Sequence, residues 1–183
     1  MLVTVAIVAF VVSQAFSIVT ERNNSERLSE VRDQLYPSLE LSTINRGLLQ
    51  LIENQINTAV TTGDDQQIAA TREQLAEISA NLDRIATLNP ALRDQVKALK
   101  SELNGYYNPA TRIATAIIEG TADFNRIGQE TSANAERLAG LRSDLDEMRN
   151  AMESRLTQAI DDTTAASSEA ATVSVTIVVV ALV

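Results

Sequence analysis

The residues able to do chemistry are few in this sequence. It contains no His and no Cys, so it lacks the commonest general base, the thiolate nucleophile and the usual ligands of transition metals. A Ser–Lys or Thr–Lys pair would have to use Lys97 or Lys100, the only lysines. Neighbouring carboxylates such as Asp161 and Asp162 point about 100° apart on a helix, which suits surface charges better than a catalytic pair. We therefore expect no enzymatic activity, no cofactor and no metal.

Polar residues at similar depth on three predicted helices are candidates for binding. At about 1.5 Å per residue, Asn45, Tyr106 and Asn134 lie about 18–26 Å from the same end of the molecule. A polar layer inside a bundle is destabilising unless its groups are paired. A small polar ligand could pair them, with a carboxylate held by Arg46 or Arg137. Alternatively, the polar side chains fix helix register. The candidate ligand-binding residues are Asn45, Arg46, Tyr106, Tyr107, Asn134 and Arg137.

Long helices must position these residues, because the composition is typical of an all-α protein. Apolar residues make up 45% of the chain, with only 6 Gly and 3 Pro. Three segments have turn chemistry, with a Gly suited to positive φ, a Pro, or an Asp or Thr able to cap a helix. They are 61–65, 88–90 and 120–123. The four helices that they separate are 20–61, 65–87, 91–119 and 122–170.

Apolar residues with a 3.5-residue repeat predict an antiparallel up-down four-helix bundle. The repeat of the third helix stays in phase across Pro109, which indicates a kink inside one helix. In the first helix the repeat has a polar interval at Ser38, Ser42 and Asn45. A second apolar stripe runs beside this interval and could pack against a helix of a partner chain. Its members are Leu41, Ile44, Leu48 and Leu51.

Both ends of the sequence are uncharged and apolar. Residues 2–19 are nearly long enough to cross a bilayer core of about 30 Å. We therefore interpret 1–19 as a first transmembrane helix, either whole or truncated at its start. A cleaved signal peptide would need a basic start, which the sequence lacks. We expect 171–183 to be the start of a second transmembrane helix that continues beyond Val183. Residues 20–170 would then form an extracytoplasmic domain.

The helix lengths predict a two-helix stalk near the membrane. The two middle helices are shorter, so the first and last helices would continue alone towards the bilayer. That stalk would expose apolar side chains, and pairing with a second stalk would bury them, which predicts a parallel homodimer. The side chains concerned are Leu28, Val31, Leu35, Met148 and Met152.

The layout of membrane helix, long helix, two shorter helices, long helix and membrane helix resembles one known family. It is the four-helix-bundle sensor of bacterial methyl-accepting chemotaxis proteins, which some sensor histidine kinases and diguanylate cyclases share. Local similarities are the stretches 59–64 and 106–112. The resemblance implies a periplasmic dimer in the bacterial inner membrane that binds a small solute. It also implies that a small helix displacement passes through the membrane to a HAMP linker.

Three functions therefore remain open at this stage. The first is a chemoreceptor input module that senses a small solute or a periplasmic binding protein. The second is the same module attached to a kinase or cyclase output. The third is a membrane-tethered coiled-coil spacer or protein-docking module without a small-molecule ligand. Nucleic acid is a poor partner, because the formal net charge of −9 offers no basic surface for phosphates.

Overall fold

The computed structural model describes residues 18–19 and 22–182, without the side chains of residues 124 and 167–182. This part of the chain consists of helices and short turns and contains no strand, which confirms the all-α prediction. A helical segment, 22–30, and one π-helical turn, Val31–Leu35, lead into the first long helix. The long helices are α1 (Tyr36–Thr62), α2 (Asp65–Leu88), α3 (Arg93–Ile118) and α4 (Phe124–Leu182). A 3₁₀ turn, Pro90–Leu92, precedes α3.

The chain divides into two compact units. One unit is Pro37–Met152 and holds α1 to α3 together with the first half of α4. The other combines the described residues up to Tyr36 with those from Glu153 onwards.

The helices of the Pro37–Met152 unit pack as antiparallel neighbours in chain order. In each neighbouring pair, residues further along one helix contact residues earlier on the other. The contacts that show this are Asn45–Asn81 and Ser38–Asn89 for α1 and α2, Thr71–Tyr107 and Asp83–Lys100 for α2 and α3, Arg112–Glu130 and Glu102–Asp144 for α3 and α4, and Arg46–Asp146 and Glu53–Arg142 for α1 and α4.

The core of this unit is formed by the residues of the predicted repeat. Burying such side chains is the main stabilising contribution to a bundle of this kind. Helix α3 runs without a break through Pro109, so the prediction of one helix across that residue is confirmed. The largest fully buried apolar side chains are Leu49, Ile52, Ile78, Leu82, Ile85, Leu99, Leu103, Leu141 and Met148.

The turns at the distal ends of the helices use the chemistry that the sequence predicts. Gly63 and Gly120 have φ values of 72° and 67°. The Gly63 N–H donates to the Ala59 carbonyl at 2.8 Å and ends α1. Asp64 begins α2 by accepting a hydrogen bond from the Gln66 N–H at 3.0 Å. These residues therefore fix the helix ends.

Replacing two glycines by alanine should change stability in opposite directions. A Cβ added at Gly63 or at Gly47 meets no atom within 4 Å, so packing does not decide either outcome. Gly63→Ala forces Ala into the left-handed region and should destabilise by about 1–2 kcal/mol. Gly47→Ala lies inside α1 and should stabilise by about 0.5–1 kcal/mol. Urea unfolding of both variants measures the difference, and equal shifts would contradict the helix-end role of Gly63.

Three side chains that the stalk prediction exposes are in fact buried, so that part of the prediction is wrong. Leu35, Met148 and Met152 are all buried, whereas Leu28 is exposed as expected. The two methionines are buried because the four helices pack together further towards the start of α1 than the estimate from helix lengths allowed.

Contacts near the start of α1 show how far this packing extends. The corner between α2 and α3 reaches the first turn of α1, where Asn89 Nδ2 donates to Ser38 Oγ at 2.6 Å. One turn along α1, Ser42 Oγ lies 3.3 Å from Met152 Sδ. Met148 and Met152 are therefore members of the bundle core.

The second unit contains an ion pair that joins its two helical segments. Arg27 and Asp162, both about half exposed, form an ion pair of 3.9 Å between its two helical segments. Leu28 and Ile160 expose about half of their side chains. The π-helical turn lies in this unit, where the Tyr36 N–H donates to the Val31 carbonyl. The sequence analysis did not predict that turn.

The predicted membrane segments fall largely beyond what can be described. Apart from Ile18 and Val19, residues 1–19 lie outside the described residues. The backbone of 171–182 belongs to α4. Across residues 18–19 and 22–182, no helix combines the length and the apolar character required to cross a membrane.

Candidate ligand-binding cleft

A cleft of about 540 Å³ lies between α1, α3 and α4 near the distal end of the bundle. Clefts of about 300–1,000 Å³ with mainly apolar walls are typical of small-molecule sites. Alanines at 110, 114 and 135 leave room between the helices. Two of the residues predicted from the sequence, Tyr106 and Asn134, line it. The apolar walls are formed by Ile56, Val60, Ala110, Ile113, Ala114, Ile117, Ala135 and Leu138.

Asn134 is the most informative polar group of this cleft. It is only 7% exposed, and its Oδ1 atom is buried without a hydrogen-bond partner. A buried carbonyl without a partner loses its interaction with water and is destabilising by about 1–3 kcal/mol. Native proteins rarely leave such groups unsatisfied. A bound molecule that donates a hydrogen bond would remove this unfavourable contribution.

Tyr106 and Glu53 form the polar side of the same cleft. Burial raises the pKa of Tyr106 to about 12, and the negative charge of Glu53 adds to this effect while Arg142 opposes it. Glu53 also accepts a hydrogen bond from Arg142 of α4. The Tyr106 hydroxyl therefore stays protonated at neutral pH beside a carboxylate. The sequence analysis did not select Glu53, because it flanks the buried repeat and reads as a surface charge.

The other residues predicted from the sequence lie elsewhere. Asn45 is fully buried between α1 and α2, where its Oδ1 accepts from Asn81 Nδ2 at 2.9 Å. Arg46 is paired with Asp146 at 3.1 Å. The polar interval is thus hydrogen-bonded within the chain, as the register-fixing alternative expects, although the Asn45 Nδ2 atom is buried without a partner.

Tyr107 and Arg137 each line a different groove. The Tyr107 hydroxyl lies 2.9 Å from Thr71 Oγ1, in a groove of about 490 Å³ between α2 and α3. Arg137 lines a groove of about 380 Å³ between α3 and α4, which also contains Glu102 and Asp144. Burial raises the pKa of Glu102, and its hydrogen bond to Asp144 and the charge of Asp144 add to this effect.

The separation of Asn45 from Asn134 has a geometrical cause. The depth estimate assumed that the helices begin and end at one level. The ion pair between Glu53 and Arg142 instead places the end of α1 level with about residue 133 of α4. Helix α4 thus begins about 14 Å beyond the end of α1, at about 1.5 Å per residue. Asn134 consequently faces the last two turns of α1, where Asn57 and Thr61 line the cleft.

Metal binding has no support in the described part of the chain, which contains no cluster of three or more acidic, His or Cys side chains able to hold an ion. Two arginines near the turn between α3 and α4 form ion pairs on the surface. Arg112 and Arg126 both contact Glu130, at 3.3 Å and 3.0 Å. Such exposed pairs contribute about 0–1 kcal/mol each. Among the described grooves, the cleft between α1, α3 and α4 is the one whose lining includes a buried polar atom without a hydrogen-bond partner.

Comparisons with known proteins assign no family. No protein-family model matches the chain, and no solved structure matches it. A proteasome-associated ATPase from Kineococcus radiotolerans is 41% identical over 71 residues. That stretch covers 37% of this chain and 12% of the ATPase, so the chain spans a small fraction of the length of that relative.

Proposed function

We propose that this chain is the ligand-sensing input module of a bacterial transmembrane receptor, most simply a chemoreceptor. The observation that carries the proposal is the length of α4, which runs for 59 residues from the distal turn into the uncharged C-terminal sequence. A sensor needs such a helix, because a displacement at a binding site can travel along it without being absorbed by a loop. A ligand with different affinities for two packings of the bundle is sufficient to drive the change.

The membrane arrangement is part of this proposal. Residues 1–19 and 171–183 are placed in the inner membrane, with 20–170 in the periplasm and the output domain on the cytoplasmic side. The uncharged sequences at the two ends support this arrangement. A kinase or cyclase output would use the same input module. The cleft between α1, α3 and α4 supports sensing of a small molecule.

Reporter fusions in a bacterium test this membrane topology. Alkaline phosphatase becomes active only where its disulfides form, which is in the periplasm. Insertions at the exposed turns of Gly63 and Gly120 should give active phosphatase, because exposed turns tolerate insertions. A fusion joined to Val183 through about seven added apolar residues, which bring the second transmembrane helix to spanning length, should be inactive although it is produced at a similar level. Inactive phosphatase at both turns, or active phosphatase in the fusion to Val183, would contradict the receptor proposal.

A homodimer is the second part of the proposal, and an exposed apolar stripe supports it. Ile44 and Leu51 of α1 are 40% and 41% exposed, and Leu41 and Leu48 beside them are partly buried. Apolar side chains aligned on one face favour association. A second copy would cover the same stripe on both chains around a twofold axis.

Charged substitutions in this stripe should separate the chains. The Ile44→Glu, Leu51→Glu double variant should sediment as a monomer with unchanged helix content. The matched control is Thr43→Glu, Gln50→Glu, which adds the same charges at neighbouring exposed positions and should remain dimeric. A dimeric stripe variant would contradict the proposed interface. If the unmodified chain is itself a monomer, the exposed stripe instead favours the protein-docking function.

A further inference from the structure

The cleft between α1, α3 and α4 is formed by one chain alone. All the residues that line it belong to the Pro37–Met152 unit, so a molecule could bind there without a second copy. Its walls are mainly aliphatic, and Tyr106 adds an aromatic ring that is 4% exposed. The space suits the apolar body of a small organic molecule.

The Glu53 carboxylate and the Asn134 carbonyl oxygen are acceptors in the cleft, whereas hydroxyls such as that of Tyr106 can also donate. In the described part of the chain, Glu53 is the only charged residue that lines it, and no basic side chain does. Asn134 adds a buried carbonyl oxygen that has no partner. Arg142 contacts Glu53, but it is not among the lining residues. A ligand here is therefore expected to donate hydrogen bonds and to carry positive charge.

We propose that this cleft binds a small primary amine whose aliphatic body lies against Ile56, Ile113 and Leu138, whose ammonium group donates to Asn134 and whose positive charge is attracted by Glu53. The inference rests on the proposed sensor function and names the chemical class of its ligand. A carboxylate ligand is disfavoured, because no basic side chain lines the cleft in the described part of the chain to pair with it. The net charge of −9 also attracts cations rather than anions.

Three probes of equal length test the proposal on the full chain. Hexylamine, hexan-1-ol and hexanoate share one apolar body and differ in charge and donor capacity. Titration calorimetry of the chain in lipid nanodiscs, with empty nanodiscs subtracted, gives the three affinities. Hexylamine should bind at least tenfold more tightly than hexan-1-ol, and hexanoate should give no measurable heat. Equal binding of hexanoate and hexylamine, or no binding of hexylamine, would overturn the proposal.

Variants then assign the binding to individual side chains. Asn134→Leu keeps the approximate volume, removes the acceptor and should weaken hexylamine binding at least tenfold. Asn104→Leu is the matched control, since Asn104 is exposed on α3, and it should leave the affinity unchanged. Glu53→Gln keeps the shape of the side chain and should abolish the preference for hexylamine over hexan-1-ol. Unchanged hexylamine binding in both Asn134→Leu and Glu53→Gln would contradict the assignment.

A space-filling variant covers the case in which Asn134→Leu does not fold. Ala110→Leu leaves every polar group in place but fills the cleft, so hexylamine binding should be lost while the helix content is kept. Retained binding would place the site elsewhere and overturn the proposal. The reporter fusions distinguish this failure from failure of the receptor function. If the topology is correct but no amine binds, only the proposed ligand class is contradicted. If an amine binds but the topology is incorrect, only the proposed receptor function is contradicted.

Discussion

Ile52→Ala should lower the free energy of unfolding by about 2–5 kcal/mol. Ile52 is 0% exposed and lies at the centre of the part of α1 that faces the other three helices. Removing its outer methyl groups leaves a cavity that rigid neighbouring helices cannot close completely. The lost transfer free energy and the lost contacts then add together. Among single substitutions in this bundle, we expect this one to have one of the largest effects.

Urea unfolding at a fixed protein concentration measures this loss, because association would otherwise change the apparent stability. Gln50→Ala is the control, since this neighbouring side chain of α1 is exposed and should change stability by no more than about 0.5 kcal/mol. A loss below about 1 kcal/mol for Ile52→Ala would mean that α1 does not pack into the core as described.

Alkaline pH should destabilise the bundle through Tyr106. Burial raises the pKa of this phenol from 10.0 to about 12 in the folded chain. Because the folded state holds the proton more tightly than the unfolded state, the stabilisation is fully present below pH 10. It is lost as the pH rises from about 10 to about 12. The expected loss is about 2–3 kcal/mol, at about 1.4 kcal/mol per pH unit.

Tyr106→Phe should remove this part of the alkaline destabilisation, because phenylalanine does not titrate. Tyr36→Phe is the matched control, since Tyr36 is 59% exposed and should leave the alkaline profile unchanged. Unfolding measured between pH 8 and pH 12 on the three proteins compares the slopes. If the profile of Tyr106→Phe matches that of the unmodified chain, the Tyr106 hydroxyl is not as deeply buried as described.

Helix positions could be predicted because the signals that determine them are local. Gly63 and Gly120 adopt the positive φ that their place in the sequence predicts, and Asp64 caps the helix that follows it. The repeat through Pro109 keeps one phase, and the helix is continuous there. Periodicity also identified which face of each helix is buried. The predicted dimer remains a proposal, because one chain does not test it.

The candidate site was predicted only in part, because it depends on the vertical offset between helices. Tyr106 and Asn134 do meet in one cleft, whereas Asn45 lies with Asn81 several turns away. Helix lengths cannot reveal this offset, since it is set by which side chains interlock across α1 and α4. The importance of Glu53 was missed for a related reason. A charged residue beside the buried repeat is assigned to the surface unless the neighbouring helix is known to leave a gap.

The π-helical turn Val31–Leu35 has a practical consequence for building chimeric proteins from this chain. Such a turn inserts one extra residue into an otherwise regular helix, and it changes the direction in which the side chains of residues 22–30 point. Leu28 is exposed, whereas Leu35, seven residues later, is buried. A regular helix grafted in place of residues 22–35 should therefore be joined with one residue fewer than the native segment contains. A splice designed by heptad counting alone would rotate the incoming segment by about 100°.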